Sequence, residues 1–183
     1  LMAERLETKL EGVALIEPQV FGDERGFFVE TFSVDSWADL GVDTAFVQHN
    51  HSRSSKDTLR GLHFQTQPGQ AKLLRCPRGS IFDVAVDLRR DSATFGQWEG
   101  HVLDDVNHHQ LYVPVGFAHG FCVLSDVADV TYLVSSIYDP ETEAGISWND
   151  PEVGVEWPVD EPLLSERDKS APRLSEVAAD LPF

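Results

Sequence analysis

Residues 82–88 alternate strictly between apolar and other side chains, and this alternation is the strongest constraint on how the chain can fold. The apolar residues at even positions share one face of an extended segment, whereas Asp83, Ala85 and Asp87 share the other. Short apolar runs recur along the chain between Gly, Pro, Asp and Asn, which is the pattern of an all-β sandwich or barrel. Further strands are predicted at residues 12–16, 26–32, 45–52, 59–65, 111–115 and 130–138.

Helical signals are few and short. Residues 34–40 precede Gly41 and predict one short helix, with Ser33 or Asp35 as its N-cap. Residues 175–180 predict a terminal helical turn. Many strands with few helices favour an all-β jelly roll or a related barrel with short peripheral helices. A length of 183 residues fits a single domain, residues 1–183, with a sizeable core.

The chain is strongly acidic, with 31 Asp and Glu against 14 Lys and Arg and a formal net charge of -17. This balance argues against a nucleic-acid partner, because phosphate contacts need clustered cations. A small anionic ligand remains compatible with it, since a few cations gathered in a concave site reverse the local potential.

Three features bear on the compartment of the protein. No apolar run approaches the roughly 18 residues of a membrane span, so no membrane partner is expected. Residues 1–5 lack the apolar core of a signal peptide, which predicts a cytoplasmic protein. Cys76 and Cys122 lie in apolar runs without CxxC spacing, which predicts two buried thiols.

The segment LRGLHFQ, residues 59–65, sets His63 in an apolar run with Arg60 three positions before it. Such a histidine is either a core residue satisfied by a backbone carbonyl or a base whose pKa is tuned by its neighbours. A regular strand points Arg60 and His63 to opposite faces. A bulge or strand end near Gly61 brings both into one site; otherwise Arg60 serves a partner subunit's site or the surface.

Tyr132 and Tyr138 are six residues apart in one predicted strand, so period two places both phenols on one face. Strand patterning alone favours two core tyrosines whose hydroxyls find partners. Asp168 lies in the charged segment 163–169, for which a solvated surface turn is the default interpretation.

Motifs spread from about residue 6 to residue 172 match one known family in order. They are residues 23–28 with Glu30, 46–52, 59–65, Lys72 with the following strand, 113–121, Tyr132 with Tyr138, and 164–169. Together they resemble the dTDP-4-dehydrorhamnose 3,5-epimerases. The resemblance implies a cupin-type jelly roll and a homodimer that exchanges N-terminal strands between its subunits.

The resemblance also implies a substrate and a reaction. The substrate is dTDP-4-dehydro-6-deoxy-D-glucose, whose 4-ketone acidifies the C–H bonds at carbons 3 and 5. His63 is the implied base and Asp168 its partner, Lys72 stabilises the enolate oxygen, and Tyr132 returns a proton from the opposite face. Tyr138 stacks on the thymine.

Binding of the nucleotide diphosphate is implied for a second group of residues. Arg25, Arg60, His119 and Arg167 are the candidate cations, Lys169 shares the role of Arg167, Glu30 supports Arg25, and Gln48, Asn50 and Glu143 are polar partners. Two residues depart from the family's pattern, since Arg167 stands where Lys is usual and His49 where Asp is usual.

The seven histidines also raise a metal hypothesis. His49 and His51 have HxH spacing, but residues 61–65 carry a single histidine and a glutamine where a metal-binding cupin offers HxH and glutamate. Neither a metal nor another cofactor is therefore expected. His108 and His109 follow an Asp- and Asn-rich turn and are expected at the surface.

Three alternative functions stay open. The nearest is a relative in antibiotic-sugar biosynthesis that epimerises only carbon 3 or carbon 5 of another dTDP-4-keto-6-deoxy sugar. A metal-dependent cupin and a sugar-binding cupin without catalytic activity are the other two. A pure binder has no need for an acid and a base on opposite faces of its ligand.

Overall fold

Two antiparallel sheets face each other in a computed structural model that describes residues 3–183. Leu1 and Met2, which begin the segment predicted to lack a signal peptide, lie outside the described residues. The first sheet has six strands, in the spatial order β1 (Ala3–Leu6), β2 (Ala14–Pro18), β10 (Gln110–Val113), β7 (Lys72–Arg78), β12 (Val127–Val134) and β5 (Gln48–Ser55). The second has five, in the order β13 (Glu143–Gly145), β6 (Leu59–Gln65), β11 (Phe117–Val123), β8 (Ser80–Asp87) and β9 (Trp98–Asp104).

The remaining elements are peripheral. A hairpin joins β3 (Val20–Asp23) to β4 (Gly26–Val29). The helices are α1 (Val34–Asp39), α2 (Glu166–Lys169) and α3 (Leu174–Val177), and a 3₁₀ turn follows at Ala178–Asp180. The predicted all-β jelly roll with short peripheral helices is confirmed, and so is the predicted helix after Ser33.

Three apolar layers hold the sandwich together. Residues of both sheets, such as Leu74, Val130 and Phe121, fill the space between them. The outer face of the five-stranded sheet packs against the C-terminal segment through Val86 and Leu174. The outer face of the six-stranded sheet is covered by α1, and burial of such apolar area is the main stabilising term of the fold.

The alternation at residues 82–88 appears in β8 as two buried faces. Val84 and Val86 pack beneath the C-terminal segment, whereas Ala85 faces the opposite sheet. Asp83 and Asp87 are fully buried and not solvated. Burying a carboxylate is costly unless other groups donate hydrogen bonds to it, so both aspartates need donors from neighbouring residues.

Most predicted strands exist, with shifted ends. The 59–65 prediction matches β6 at both ends, and the strand containing Leu111 ends at Val113, before Pro114. The predicted strand 130–138 is wrong at its C-terminal end, because β12 stops at Val134. Ser135 and Ser136 divert the chain there: the Ser135 hydroxyl accepts a hydrogen bond from the Ala71 amide at 2.8 Å and the Ser136 hydroxyl donates to the Gly69 carbonyl at 3.0 Å.

The hairpin of β3 and β4 exposes large apolar side chains. Phe21, Phe27 and Phe28 are 46%, 59% and 65% exposed. The ring of Phe27 also packs on His108, with ring centroids 4.8 Å apart. His108 is only 9% exposed, so its predicted surface position is wrong, because the hairpin folds over that turn.

Cys76 and Cys122 are buried free thiols, as predicted. None of the helices described within residues 3–183 has the length and apolar character that crossing a membrane requires.

Candidate active site

A cavity of about 640 Å³ opens between the two sheets. Apolar side chains, among them Leu59, Leu74 and Phe121, form part of its wall. Seven of the predicted site residues line it, including all four that were assigned catalytic roles: Arg60, His63, Lys72, His119, Tyr132, Arg167 and Asp168.

A bulge in β6 brings Arg60 and His63 into this cavity together. His119 pairs with His63, and Phe121 pairs with Arg60. Between these two pairs β11 advances by two residues and β6 by three, so β6 contains one extra residue. Gly61 makes the irregularity possible, since its φ is +142° and a Cβ there would lie 2.5 Å from the Gly120 Cα. Of the alternatives that the sequence left open for Arg60, the structure shows the bulge.

His63 and Asp168 form a short hydrogen-bonded pair. Nε2 of His63 lies 2.6 Å from Oδ1 of Asp168, and the other carboxylate oxygen accepts the Gly61 amide at 3.3 Å. Burial works to raise the pKa of Asp168, but the bonds from His63 and Gly61 hold it below its ordinary value. An ionised carboxylate only accepts, so Nε2 carries the proton and Nδ1 is left as the basic nitrogen.

Helix α2 presents Asp168 to that histidine. Ser165 caps the helix, its hydroxyl accepting the Asp168 amide at 3.1 Å. The preceding chain is tied to β6 by the Leu59 amide, which donates to the Leu163 carbonyl at 3.0 Å. The predicted surface turn is therefore a docked segment, and Asp168 is buried.

Tyr132 and Lys72 enter the cavity from the opposite sheet. Tyr132 lies on β12 and Lys72 on β7, whereas His63 lies on β6. Burial raises the pKa of the Tyr132 phenol, which therefore stays protonated at neutral pH. Loss of hydration lowers the pKa of Lys72 to about 8, although Glu143 and Asp83 act in the other direction.

A second histidine–carboxylate pair lies beside the first. His119 is directly opposite His63 in the ladder of β6 and β11, and its Nε2 is 2.6 Å from Oδ1 of Asp83. Burial lowers the pKa of His119 and Asp83 opposes that shift. Asp83 was not predicted as a site residue. A carboxylate in the apolar strand 82–88 was nevertheless a signal that Asp83 is buried and pairs with another side chain.

Tyr138 lies at the exposed rim. Since β12 ends four residues before it, the predicted sharing of one strand face with Tyr132 is wrong. The Tyr138 amide donates to Oε1 of Gln48 at 3.1 Å, and the Gln48 amide group donates to Asn50 at 2.8 Å. Gln48 and Asn50 thus link the rim to the strand next to Tyr132.

Glu143 joins the rim to helix α2. Its Oε2 accepts the Tyr138 hydroxyl at 2.8 Å and Nη1 of Arg167 at 2.6 Å. Burial works to raise the pKa of Glu143, but the bonds from Arg167 and Tyr138 keep it below its ordinary value. The carboxylate is therefore charged at neutral pH.

Seven predicted binding residues lie outside the cavity lining, and besides Gln48, Asn50, Tyr138 and Glu143 these are Arg25, Glu30 and Lys169. Arg25 lies on the hairpin, and its guanidinium pairs with Asp23. The predicted support of Arg25 by Glu30 is therefore wrong within one chain. Asp23 is the partner because its carboxylate is only two residues away in the same turn. Oε1 of Glu30 is buried without a hydrogen-bond partner among residues 3–183. Lys169 pairs with Glu166 at 2.7 Å on the exposed side of α2.

His49 and His51 lie on β5 in register with Leu133 and Thr131, on the outer side of the six-stranded sheet. Nε2 of His51 is 3.3 Å from Asp129, which also binds Arg53. No three His, Cys, Asp or Glu side chains between residues 3 and 183 are grouped so that they could hold a metal ion.

A base held by a carboxylate faces a phenol and an ammonium across one cavity. Such a site can remove a proton from carbon on one face of a ligand and return it on the other, which is the chemistry of an epimerase. The fold and the site thus define a jelly-roll isomerase. The chain belongs to the dTDP-4-dehydrorhamnose 3,5-epimerase family, whose model matches residues 7–176.

Individual relatives agree with this assignment. A dTDP-4-dehydrorhamnose 3,5-epimerase of Neisseria gonorrhoeae is 53% identical over 165 residues, which are 89% of this chain and 50% of that protein, so the chain spans about half its length. A dTDP-4-dehydrorhamnose 3-epimerase of Streptomyces niveus is 46% identical, over 92% of this chain and 82% of that one. The crystal structure of dTDP-6-deoxy-D-glucose-3,5-epimerase from Legionella pneumophila in complex with dTDP-4-keto-L-rhamnose has a TM-score of 0.94, at 45% identity and covering 98% of this chain and 96% of that one.

Proposed function

We propose that this chain converts dTDP-4-dehydro-6-deoxy-D-glucose into dTDP-4-dehydro-L-rhamnose by inverting carbons 3 and 5 of the keto sugar. One observation carries the proposal: a histidine paired with a carboxylate lines the same cavity as a buried tyrosine on the opposite sheet. Family membership and the sugar nucleotide bound to the Legionella relative support it.

The chemistry follows from the ketone at carbon 4. A C–H bond next to the carbonyl is acidic because the carbanion delocalises into an enolate, so both neighbouring carbons can exchange protons. Nδ1 of His63 removes the proton, and Asp168 stabilises the imidazolium that forms. Each such acid or base contributes about 10²–10⁴-fold in rate.

The enolate oxygen needs a donor, and Lys72 supplies it. An ammonium removed from water acts most strongly where negative charge develops. The lowered pKa of Lys72 reports the same desolvation, and Asp83 opposes the loss of its charge. His119, held by Asp83, contacts the sugar beside His63 and not the diphosphate.

Tyr132 completes the inversion from the other wall. Its raised pKa keeps it protonated until the enolate forms. A proton delivered from the sheet opposite His63 arrives on the face opposite to the one that lost its proton. The configuration at that carbon then inverts, and no redox step or metal enters the sequence.

The nucleotide end of the substrate lies toward the rim. Within residues 3–183, Arg60 donates a side-chain hydrogen bond from Nε to the Ser54 hydroxyl at 3.0 Å, and its remaining N–H groups serve the diphosphate. Tyr138 is 48% exposed and offers its ring to the thymine, with Gln48 and Asn50 beneath it.

The working form in this proposal is a cytoplasmic homodimer. The exposed phenylalanines of the hairpin form an apolar surface. Exposed apolar patches of this kind mark interaction surfaces, which favours burial of the hairpin against a second copy of the chain. Arg25, whose side chain is 86% exposed, then reaches the neighbouring subunit's diphosphate.

The proposal is tested by incubating the protein with dTDP-4-keto-6-deoxyglucose in heavy water. Deuterium at both carbon 3 and carbon 5 is the expected result, read by NMR. Deuterium at carbon 3 or carbon 5 alone supports the second candidate, a single-carbon epimerase, which the similarity to the Streptomyces niveus 3-epimerase favours. Absence of deuterium at both carbons rejects both, and loss of exchange on chelation with recovery on one added divalent ion shows a metal-dependent enzyme.

A further inference from the structure

We propose that Ser54 is a positioning residue for Arg60: its hydroxyl holds the guanidinium by Nε, so that the two terminal nitrogens face the diphosphate together. This inference rests on the proposed function, in which Arg60 binds the diphosphate. Ser54 is not among the residues predicted for the site, and within residues 3–183 Arg60 lines the cavity whereas Ser54 does not. Ser54 therefore acts through Arg60 and not on the substrate.

Ser54 and Arg60 lie on consecutive strands that belong to different sheets. Ser54 is on β5, the edge strand of the six-stranded sheet, and Arg60 is on β6 of the five-stranded sheet. The turn between the strands is tied to β11, because the Asp57 amide donates to the Val123 carbonyl at 3.1 Å and the Val123 amide donates to the Thr58 carbonyl at 2.9 Å. The two side chains thus meet at a fixed corner of the sandwich.

The Ser54 hydroxyl lies in surroundings that require a hydrogen-bond partner. Ser54 is 7% exposed, and its register partner Ala128 belongs to the apolar layer between the sheets. A hydroxyl buried in this way is costly unless it is hydrogen-bonded. Nε of Arg60 donates that bond at 3.0 Å, and the guanidinium makes no other described side-chain bond within residues 3–183. The orientation of Arg60 therefore depends on Ser54.

The bond through Nε decides which side of the guanidinium is left for a ligand. A guanidinium is planar and carries its N–H donors in a fixed fork. Because Nε is committed to Ser54, pairing through Nε and one terminal nitrogen is lost, and the pair Nη1 and Nη2 remains for two oxygens of one phosphate. An anchored side chain also has less freedom to lose on binding, which lowers the entropic cost of forming the complex.

The test compares how Ser54→Ala and wild type, both as the full chain, bind dTDP and thymidine, which lacks the diphosphate. We expect Ser54→Ala to weaken dTDP binding between about twofold and tenfold, which corresponds to the cost of ordering one long side chain. The affinity for thymidine should stay at the wild-type value, because thymidine has no phosphate for Arg60. NMR titration measures both dissociation constants. At saturating substrate, kcat for deuterium exchange should stay within about twofold, since the lost interaction is uniform binding.

Arg60→Lys gives the second half of the test, because lysine has a methylene where arginine has Nε and cannot make this bond to Ser54. Arg60→Lys alone should weaken dTDP binding about tenfold, since the paired charged hydrogen bonds to phosphate are lost. Adding Ser54→Ala to Arg60→Lys should cause no further loss, because both changes act through one interaction. Ser55→Ala, at the exposed next residue of β5, is the control and should bind dTDP as wild type does.

Three results overturn the inference. Equal dTDP affinity in Ser54→Ala and wild type shows that Arg60 does not need the hydroxyl. Equal weakening of dTDP and thymidine binding shows a structural role for Ser54, and a loss of the same size in the Arg60→Lys background shows that Ser54 acts without Arg60. Failure of the proposed function shows elsewhere, as the absence of deuterium incorporation by the wild type, and leaves the binding comparison intact.

Discussion

Tyr132 is the residue whose role the sequence could least establish. Its patterning favoured a core tyrosine, yet it lines the cavity on the wall opposite His63. If it is the acid, Tyr132→Phe should reduce formation of inverted product about 10²-fold or more, while deuterium wash-in at the keto sugar persists at a reduced rate. Trapping the product with a ketone reductase measures the first rate, and NMR measures the second.

Tyr112→Phe is the matched control for that substitution. The Tyr112 hydroxyl contacts Thr44 at 2.7 Å on the outer side of the same sheet, so its loss tests removal of a buried hydroxyl away from the cavity. Exchange and inversion that fall in parallel in Tyr132→Phe, together with a lower melting temperature, would make Tyr132 a core residue.

The protonation state of Lys72 is expected to determine how kcat depends on pH. Desolvation disfavours its charged form, so the folded pKa is about 8 and the ammonium is lost as pH rises through that value. Tyr132, with its pKa raised, is still protonated there. We therefore expect kcat to fall above pH about 8, approaching tenfold per pH unit, because one proton is lost.

Lys72→Arg separates this limb from other titrations. A guanidinium stays charged throughout the range, so the variant should be slower than wild type yet flat up to pH about 10. Lys56→Arg, at an exposed turn, is the control and should keep the wild-type profile. A wild-type profile without a falling limb would remove Lys72 from the role of charged donor.

At the scale of elements, the bulge of β6 is the feature that makes the site. Gly61→Ala places a Cβ against the backbone of β11 at a φ of +142°. We expect a loss of stability of about 1–3 kcal/mol and a fall in kcat, since relief of the clash must shift Arg60 against His63. Thermal unfolding and the exchange assay measure the two effects.

Gly154→Ala is the control for that change. Gly154 also has a positive φ, +68°, but the nearest atom to an added Cβ is 3.8 Å away. It should lose stability from backbone strain and keep kcat. Equal kcat in wild type and Gly61→Ala would show that the bulge does not position the site.

Features set by residues close together in the sequence could be predicted, whereas features set by contacts between distant residues could not. The strand containing His63 was predicted at both ends, because apolar pattern and Gly61 are local signals. The end of β12 was not, because serine hydroxyls bonding to a distant loop decide it. The Asp83–His119 and His63–Asp168 pairs span 36 and 105 positions, and no periodicity reports contacts over such separations. The second pair was predicted only through family resemblance.

For the whole molecule, the hairpin gives a test of assembly. Phe28→Glu puts a charge on its most exposed phenylalanine, and we expect it to convert a dimer into a monomer by light scattering, because burying an unpaired charge is costly. Exchange activity should fall with the dimer if Arg25 serves the neighbouring site. Val106→Glu, at a residue that is 83% exposed on another turn, should change neither; a wild type that is monomeric at micromolar concentration would refute the assembly.

Alkylation of the two buried thiols can be used to measure opening of the folded chain. Burial raises the pKa of Cys76 to about 12 and that of Cys122 to about 11, and only a thiolate attacks an alkylating reagent. Cys76 belongs to the layer between the sheets and Cys122 to a central strand of the other wall. We therefore expect iodoacetamide to react slowly with both cysteines while the sandwich is closed, so that faster alkylation reports opening of the fold around the modified thiol.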